Sequence, residues 1–198
     1  MYVKLCGLRT GEQVEVAVTA GADAVGFVFA QSVRRIEPAA ARALVREVPS
    51  SVLTVGVFAG MPPEEVRRVA LESGVGAIQL HGAYDKQAFA DLADTGLRLL
   101  RAVALTPDTD VTVGAFGEDM LLLDSPDAGS GRRWDLSTLT ARPEGHWLLA
   151  GGLGPDNVAE AIAEARPWGV DVSSGIESTR GVKDLGRMRA FVAAARSA

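Results

Sequence analysis

Cys6 and Asp124 are the two side chains of this 198-residue sequence whose type and placement suit a proton-transfer pair. Cys6 is the only cysteine, and it ends the first strand-like run, Val3-Lys4-Leu5-Cys6-Gly7. One thiol makes neither an intrachain disulfide nor a structural zinc site. It is either a small packed apolar residue or a reactive group at a strand tip. Asp124 follows the apolar run Met120-Leu121-Leu122-Leu123. An aspartate there is either a turn or helix cap, or an acid at the end of a strand. A carboxyl beside apolar neighbours has a raised pKa and keeps a proton to donate. A thiol near positive charge or a helix N-terminus has a lowered pKa and serves as base or nucleophile. One base and one acid facing each other over a sugar phosphate are the equipment of an isomerase.

A second constellation is rich in glycine. Ala150-Gly151-Gly152-Leu153-Gly154 and Ser173-Ser174-Gly175 each follow an apolar run near the C-terminus. Glycine lets backbone N–H groups approach an anion, and helix N-termini are partly positive. Either loop alone would be a tight turn. Two of them on adjacent strands form a phosphate cradle.

Positioning these groups requires a particular scaffold. Strand-like runs fall at 3–6, 24–29, 52–57, 77–80, 97–103, 120–123, 147–150 and 170–172. Amphipathic stretches fall between them at 11–20, 38–48, 63–73, 85–94, 108–115, 155–165 and 184–196, with at best a short helical turn at 134–141. Pro38, Pro63 and Pro155 sit at helix starts, followed or preceded by acidic residues. Gly21 and Gly74 stand where the first and third helices should stop. Strict alternation with eight strands predicts a single-domain (β/α)8 TIM barrel, α/β in class and compact with short loops. A doubly wound sheet is the weaker alternative, because Cys6-Gly7-Leu8-Arg9-Thr10-Gly11 lacks the G-x-G-x-x-G turn. In a barrel the C-terminal strand ends share one mouth. That mouth collects Cys6, Gln79, His81, Asp124, Asp171, Ser173 and Ser174, with Arg34 and Arg35 in the loop after strand 2. Gln79 and His81 are expected to be structural, and His146 to lie at the opposite face.

Composition narrows the classes. The chain is 47% hydrophobic with a formal net charge of -5 and scattered basic residues, so it carries no nucleic-acid footprint. No run reaches the roughly 18 apolar residues of a membrane span, and no signal peptide is visible. The expected location is the cytoplasm. Neither a metal cluster nor a hydride-cofactor motif appears, so no cofactor is expected.

Taken together, several stretches resemble the phosphoribosylanthranilate isomerase family. They are Val3-Lys4-Leu5-Cys6-Gly7, Gly21-Ala22-Asp23-Ala24-Val25-Gly26-Phe27-Val28-Phe29, Val55-Gly56-Val57-Phe58 and Gln79-Leu80-His81-Gly82. They continue with Leu121-Leu122-Leu123-Asp124, Gly129-Ser130-Gly131, Ala150-Gly151-Gly152-Leu153, Asp171-Val172-Ser173-Ser174-Gly175 and Gly181-Val182-Lys183-Asp184. The resemblance runs the length of the chain. It implies an Amadori rearrangement in tryptophan synthesis, without metal or cofactor, on a phosphoribosyl substrate. It implies Asp124 as general acid and Cys6, as thiolate, as general base. It implies an arginine for the anthranilate carboxylate, matching Arg34, although the loop lacks the family's usual proline and Arg35 is adjacent. It implies that Asp171 contacts the sugar hydroxyls or amine, with a purely structural strand-end aspartate as the alternative. Gly151, Gly152, Ser173, Ser174 and Gly175 correspond to the phosphate loops. The histidine-pathway and bifunctional barrels resemble this one but place an aspartate where Cys6 stands. A non-catalytic sugar-phosphate-binding barrel would lack one member of the acid–base pair. The family has both monomers and homodimers, and the sequence leaves that choice open.

Overall fold

A computed structural model describes residues 1–125 and 142–198. Eight parallel strands close into a barrel: β1 (Tyr2–Cys6), β2 (Ala24–Val28), β3 (Leu53–Phe58), β4 (Ala77–His81), β5 (Arg98–Ala104), β6 (Met120–Asp124), β7 (Trp147–Leu149) and β8 (Gly169–Val172). Closure is visible in β1, which pairs with both β2 and β8; the register sets Cys6 beside Gly26 and Lys4 beside Asp171. Helices α1 (Gly11–Ala20), α2 (Pro38–Val45), α3 (Pro63–Ser73), α4 (Lys86–Ala90), α5 (Val158–Ala165) and α6 (Leu185–Ser197) occupy crossovers or follow the last strand. A short antiparallel pair, β9 (Glu177–Thr179) and β10 (Val182–Lys183), follows β8.

The local chemistry explains these boundaries. Thr10 caps α1 through its side chain, and Gly21 ends it at φ 91° in the left-handed region that L side chains avoid. Pro38 and Pro63 stand in the first turns of α2 and α3, where a missing N–H costs nothing. Along each strand the side chains alternate between two cores. Leu121 and Leu123 face the outer layer with helix residues such as Val66, Ile162 and Phe191. Met120 and Leu122 face the interior with Ala24, Val55, Ala77, Leu100 and Leu148. The same alternation directs Lys4 and Cys6 inward from β1.

Several expected helices differ from the structure: α2 ends at Val45 rather than 48, and α4 spans only Lys86–Ala90 of the expected 85–94. The stretch 108–115 is not helical but a series of turns between β5 and β6. Arg101 donates to the carbonyls of Asp110 (2.9 Å) and Thr112 (2.9 Å), taking acceptors that a helix would need. The Asp110 carboxylate accepts from the Thr112 N–H, and Gly114 and Gly117 adopt positive φ. The β-branched Val111-Thr112-Val113 resists helix formation in any case. Helix α5 begins at Val158 rather than 155, because Asn157 is committed to the preceding loop. The expected turn at 134–141 and the Gly129-Ser130-Gly131 motif lie outside the described residues.

Candidate active site

An open cleft with a cavity volume of ≈ 190 Å³ lies at the C-terminal mouth of the barrel. Its wall includes Arg34, Asp124, Gly151, Gly152, Asp171, Ser173 and Ser174. Seven of the nine residues expected at the site therefore meet around one space. The other two, Cys6 and Gly175, are not on this wall.

The glycine loops are shaped by close approach. Gly151 sits at φ 86°, and a Cβ there would run into the Ser125 amide and come within 2.7 Å of Asp124 Oδ1. Only glycine lets the loop after β7 lie against the acid. Asn157 stitches this loop, accepting from the Gly154 N–H (2.8 Å) and donating to the Gly152 carbonyl (2.9 Å). Gly175 lies under Leu153, where a Cβ would overlap the Leu153 carbonyl. Its part is to bring the two loops together rather than to line the cleft. Ser173 and Ser174 lead into a one-turn 3-10 helix, Ser174–Ile176.

Asp124 closes β6 and is largely buried. Its Oδ1 accepts from the Ser125 N–H at 2.8 Å, and His81 Nε2 stands 4.0 Å from Oδ2. Burial pushes the Asp124 carboxyl above its ordinary range, helped by the negative charge of Asp171 and opposed by His81, Ser125 and Lys4. That agrees with the expectation for an acid.

Cys6 is buried beside Val28, Ala30 and Val57. Gly26 opposes it, and a Cβ at Gly26 would come within 2.8 Å of Sγ. The expectation of a lowered thiol pKa is not met. Burial raises it, and Asp171 adds to the rise, while Lys4 and Lys183 pull it down without prevailing. The positive charges are present, but the apolar collar outweighs them.

Lys4 is the residue the sequence reading passed over. It is fully buried inside the barrel, and Nζ donates to Asp171 Oδ1 at 2.6 Å. Burial disfavours its charge, yet Asp171 and Cys6 keep the ammonium protonated well above its ordinary range. Its partner is 167 residues away in sequence, so no local pattern reveals it. The Lys4–Asp171 pair acts on Cys6 and on Asp124 alike, which makes the four groups one electrostatic unit. Asp171 is thus both ion-paired and on the cleft wall.

The two arginines after β2 part company. Arg34 lines the cleft and forms a bidentate pair with Glu177. Arg35 pairs with exposed Glu37 at 3.3 Å, away from the cleft. A backbone bridge of Arg35 to Val28 pins this loop to the end of β2. Gln79 is buried on the inner face, and its Oε1 has no hydrogen-bond partner among the described residues. His146 lies at the far end of the barrel, its ring against Trp168, which stacks on Tyr2. No group of three or more His, Cys, Asp or Glu side chains fit to hold a metal occurs among the described residues. No described helix is long and apolar enough to cross a membrane.

The chain matches a family model described as N-(5'phosphoribosyl)anthranilate (PRA) isomerase over residues 3–194. The N-(5'-phosphoribosyl)anthranilate isomerase of Symbiobacterium thermophilum is 40% identical, over 99% of this chain and 98% of that protein. The crystal structure of TrpF from Jonesia denitrificans superposes with a TM-score of 0.92 at 47% identity, covering 100% of this chain and 97% of that one. A phosphoribosyl anthranilate isomerase crystallised with reduced 1-(o-carboxyphenylamino)-1-deoxyribulose 5-phosphate gives a TM-score of 0.86 at 34% identity, with both chains covered in full.

Proposed function

The chain belongs to the N-(5'-phosphoribosyl)anthranilate isomerase family, and from that membership and the site geometry we propose how it carries out the Amadori rearrangement of its substrate. The product is 1-(2-carboxyphenylamino)-1-deoxyribulose 5-phosphate. The observation that carries the assignment of roles is Asp124, its carboxyl pushed toward the acid form by burial, on a wall shared with the Gly151–Gly152 and Ser173–Ser174 loops.

The phosphate lies against the backbone amides of those loops, and Gly175 keeps them close. Asp124 protonates the furanose ring oxygen, and the ring opens to a Schiff base. The protonated imine acidifies the C2′ hydrogen. Cys6, as thiolate, removes it, and the enolamine tautomerises to the ketone. Lys4 stabilises that thiolate from beneath, while Asp171 keeps Lys4 charged and meets the sugar hydroxyls or amine. Arg34 takes the anthranilate carboxylate, since a guanidinium fork matches a carboxylate. Each proton-transferring group contributes roughly 10²–10⁴-fold.

The reactive form combines a thiolate with a protonated carboxyl, although the thiol is the weaker acid. Below the Asp124 pKa, activity climbs with pH as thiolate accumulates. Between the two pKa values each gain in thiolate is offset by loss of protonated Asp124, and the profile is flat. Above the Cys6 pKa it falls. The acid limb therefore reports Asp124 and the alkaline limb Cys6.

The test is Cys6→Ser, assayed with N-(5-phosphoribosyl)anthranilate alongside binding of a reduced product analogue. Turnover should drop by orders of magnitude with binding largely kept. Near-normal turnover would remove Cys6 from the mechanism.

A further inference from the structure

Glu177, the first residue of β9, gathers donors from the loop after β2 and from its own hairpin onto one carboxylate. Its Oε1 accepts from Arg34 Nε (2.6 Å) and Lys183 Nζ (2.9 Å). Its Oε2 accepts from Arg34 Nη2 (2.8 Å) and the Gly181 N–H (2.9 Å). Its side chain is only 3% exposed. Burial opposes its ionisation, but the donors from Arg34, Gly181 and Lys183 outweigh that and hold its pKa at about 2.

The same hairpin is fastened on both sides. Gly181 sits at φ 85° between β9 and β10, and a Cβ there would meet Val33 Cγ2 at 3.2 Å. Its carbonyl accepts from Arg9 Nη2 at 2.7 Å. Lys183 also donates to the Ser173 carbonyl at 2.8 Å. The loops after β1, β2 and β8 are therefore tied to one point.

The consequence for Arg34 is geometric. A guanidinium has five N–H donors in a rigid plane. Glu177 takes Nε and one hydrogen of Nη2. Among the described residues the Nη1–Nη2 edge is uncommitted, on a side chain that lines the cleft. That edge is a second fork, suited to another carboxylate.

We infer that Glu177 is a positioning residue for substrate specificity: by holding one edge of Arg34 it presents the other edge to the ortho-carboxylate of the substrate. This rests on the carboxylate role of Arg34 given above. A guanidinium already held in place loses less freedom on binding. Releasing it restores that freedom and costs about 3- to 10-fold in affinity.

The experiment compares two reduced product analogues, identical except that one lacks the ring carboxylate, titrated calorimetrically into the full chain. Wild type should prefer the carboxylated analogue. Glu177→Gln should cut that preference by about 3- to 10-fold. Added positive charge in the variant acts on the phosphate of both analogues and cancels in the ratio. A purely structural role would lower both affinities and leave the ratio alone. Should Glu177→Gln not fold, Glu177→Asp, which keeps the charge but is too short to reach both cations, serves in the same comparison. An unchanged ratio with Glu177 altered, while Arg34→Ala abolishes it, overturns this inference alone. An unchanged ratio in Arg34→Ala overturns the Arg34 assignment itself, and this inference with it.

Discussion

Lys4–Asp171 and Arg101–Glu118 are both buried ion pairs, one inside the barrel wall and one outside it. They are similar in length, 2.6 Å and 2.7 Å. Outside, Arg101 spends its donors on Glu118 and on the carbonyls of Asp110 and Thr112, with its guanidinium 4.5 Å from the Phe116 ring centre. Its charge is consumed in holding the segment between β5 and β6. Inside, Lys4 and Asp171 stand among titratable groups, and Asp171 reaches the cleft wall. The same kind of interaction shapes a loop on one face and acts on the titration of a thiol and a carboxyl on the other. What differs is the neighbours: main-chain carbonyls and an aromatic ring outside, a thiol and a carboxyl inside.

The largest expected effect sharpens the inner half of that comparison. Asp124→Asn should lower kcat/KM by about 10²–10⁴-fold and erase the acid limb of the pH profile. It should also raise the melting temperature. The folded pKa of Asp124 is raised, so its favourable contribution is present at low pH and lost as pH climbs through that value. Above its unfolded pKa the carboxyl therefore opposes folding, and the amide does not. A melting temperature below wild type would contradict the cause assigned to the shift.

Swapping one partner in each pair tests the contrast directly. Lys4→Met and Arg101→Met each strand a buried carboxylate and should each cost about 3–5 kcal/mol in denaturant unfolding. At a temperature where both remain folded, only Lys4→Met should lose activity. Its alkaline limb should move to higher pH, because a positive charge that favours the thiolate is gone. Turnover falls about tenfold for each pKa unit of that move. Equal kinetic losses in the two variants would mean that the inner pair is as purely structural as the outer one.

The smallest expected effect lies on the surface. Arg35→Ala removes an exposed pair with Glu37 and should change stability by less than about 1 kcal/mol, with KM unchanged. A rise in KM would show that Arg35, not Arg34, meets the substrate carboxylate.

Much of the scaffold was legible because it follows from local rules. Alternating short β-branched runs and amphipathic stretches announce a parallel sheet with outer helices, since each period buries one face. Gly21 and Gly74 end helices because a left-handed residue is needed there. The stretch 108–115 misled because its acceptors are taken by Arg101, a contact invisible to any window around it.

The site divides along the same line. Cys6, Asp124, Asp171 and the glycine loops could be placed from sequence, since strand ends in a closed parallel barrel share one mouth. Which arginine faces the cleft was undecided until the structure put Arg34 on the cleft wall with Glu177 and Arg35 beside exposed Glu37. Lys4 and Glu177 were unreadable, because the partner that links each to the site, Asp171 or Arg34, lies more than a hundred residues away. The sequence by itself determined the strands, the helix stops and which residue types stand at the strand ends. Tertiary structure alone decided how buried the thiol is and which charges surround it, because burial and pairing depend on distances that chain order does not encode.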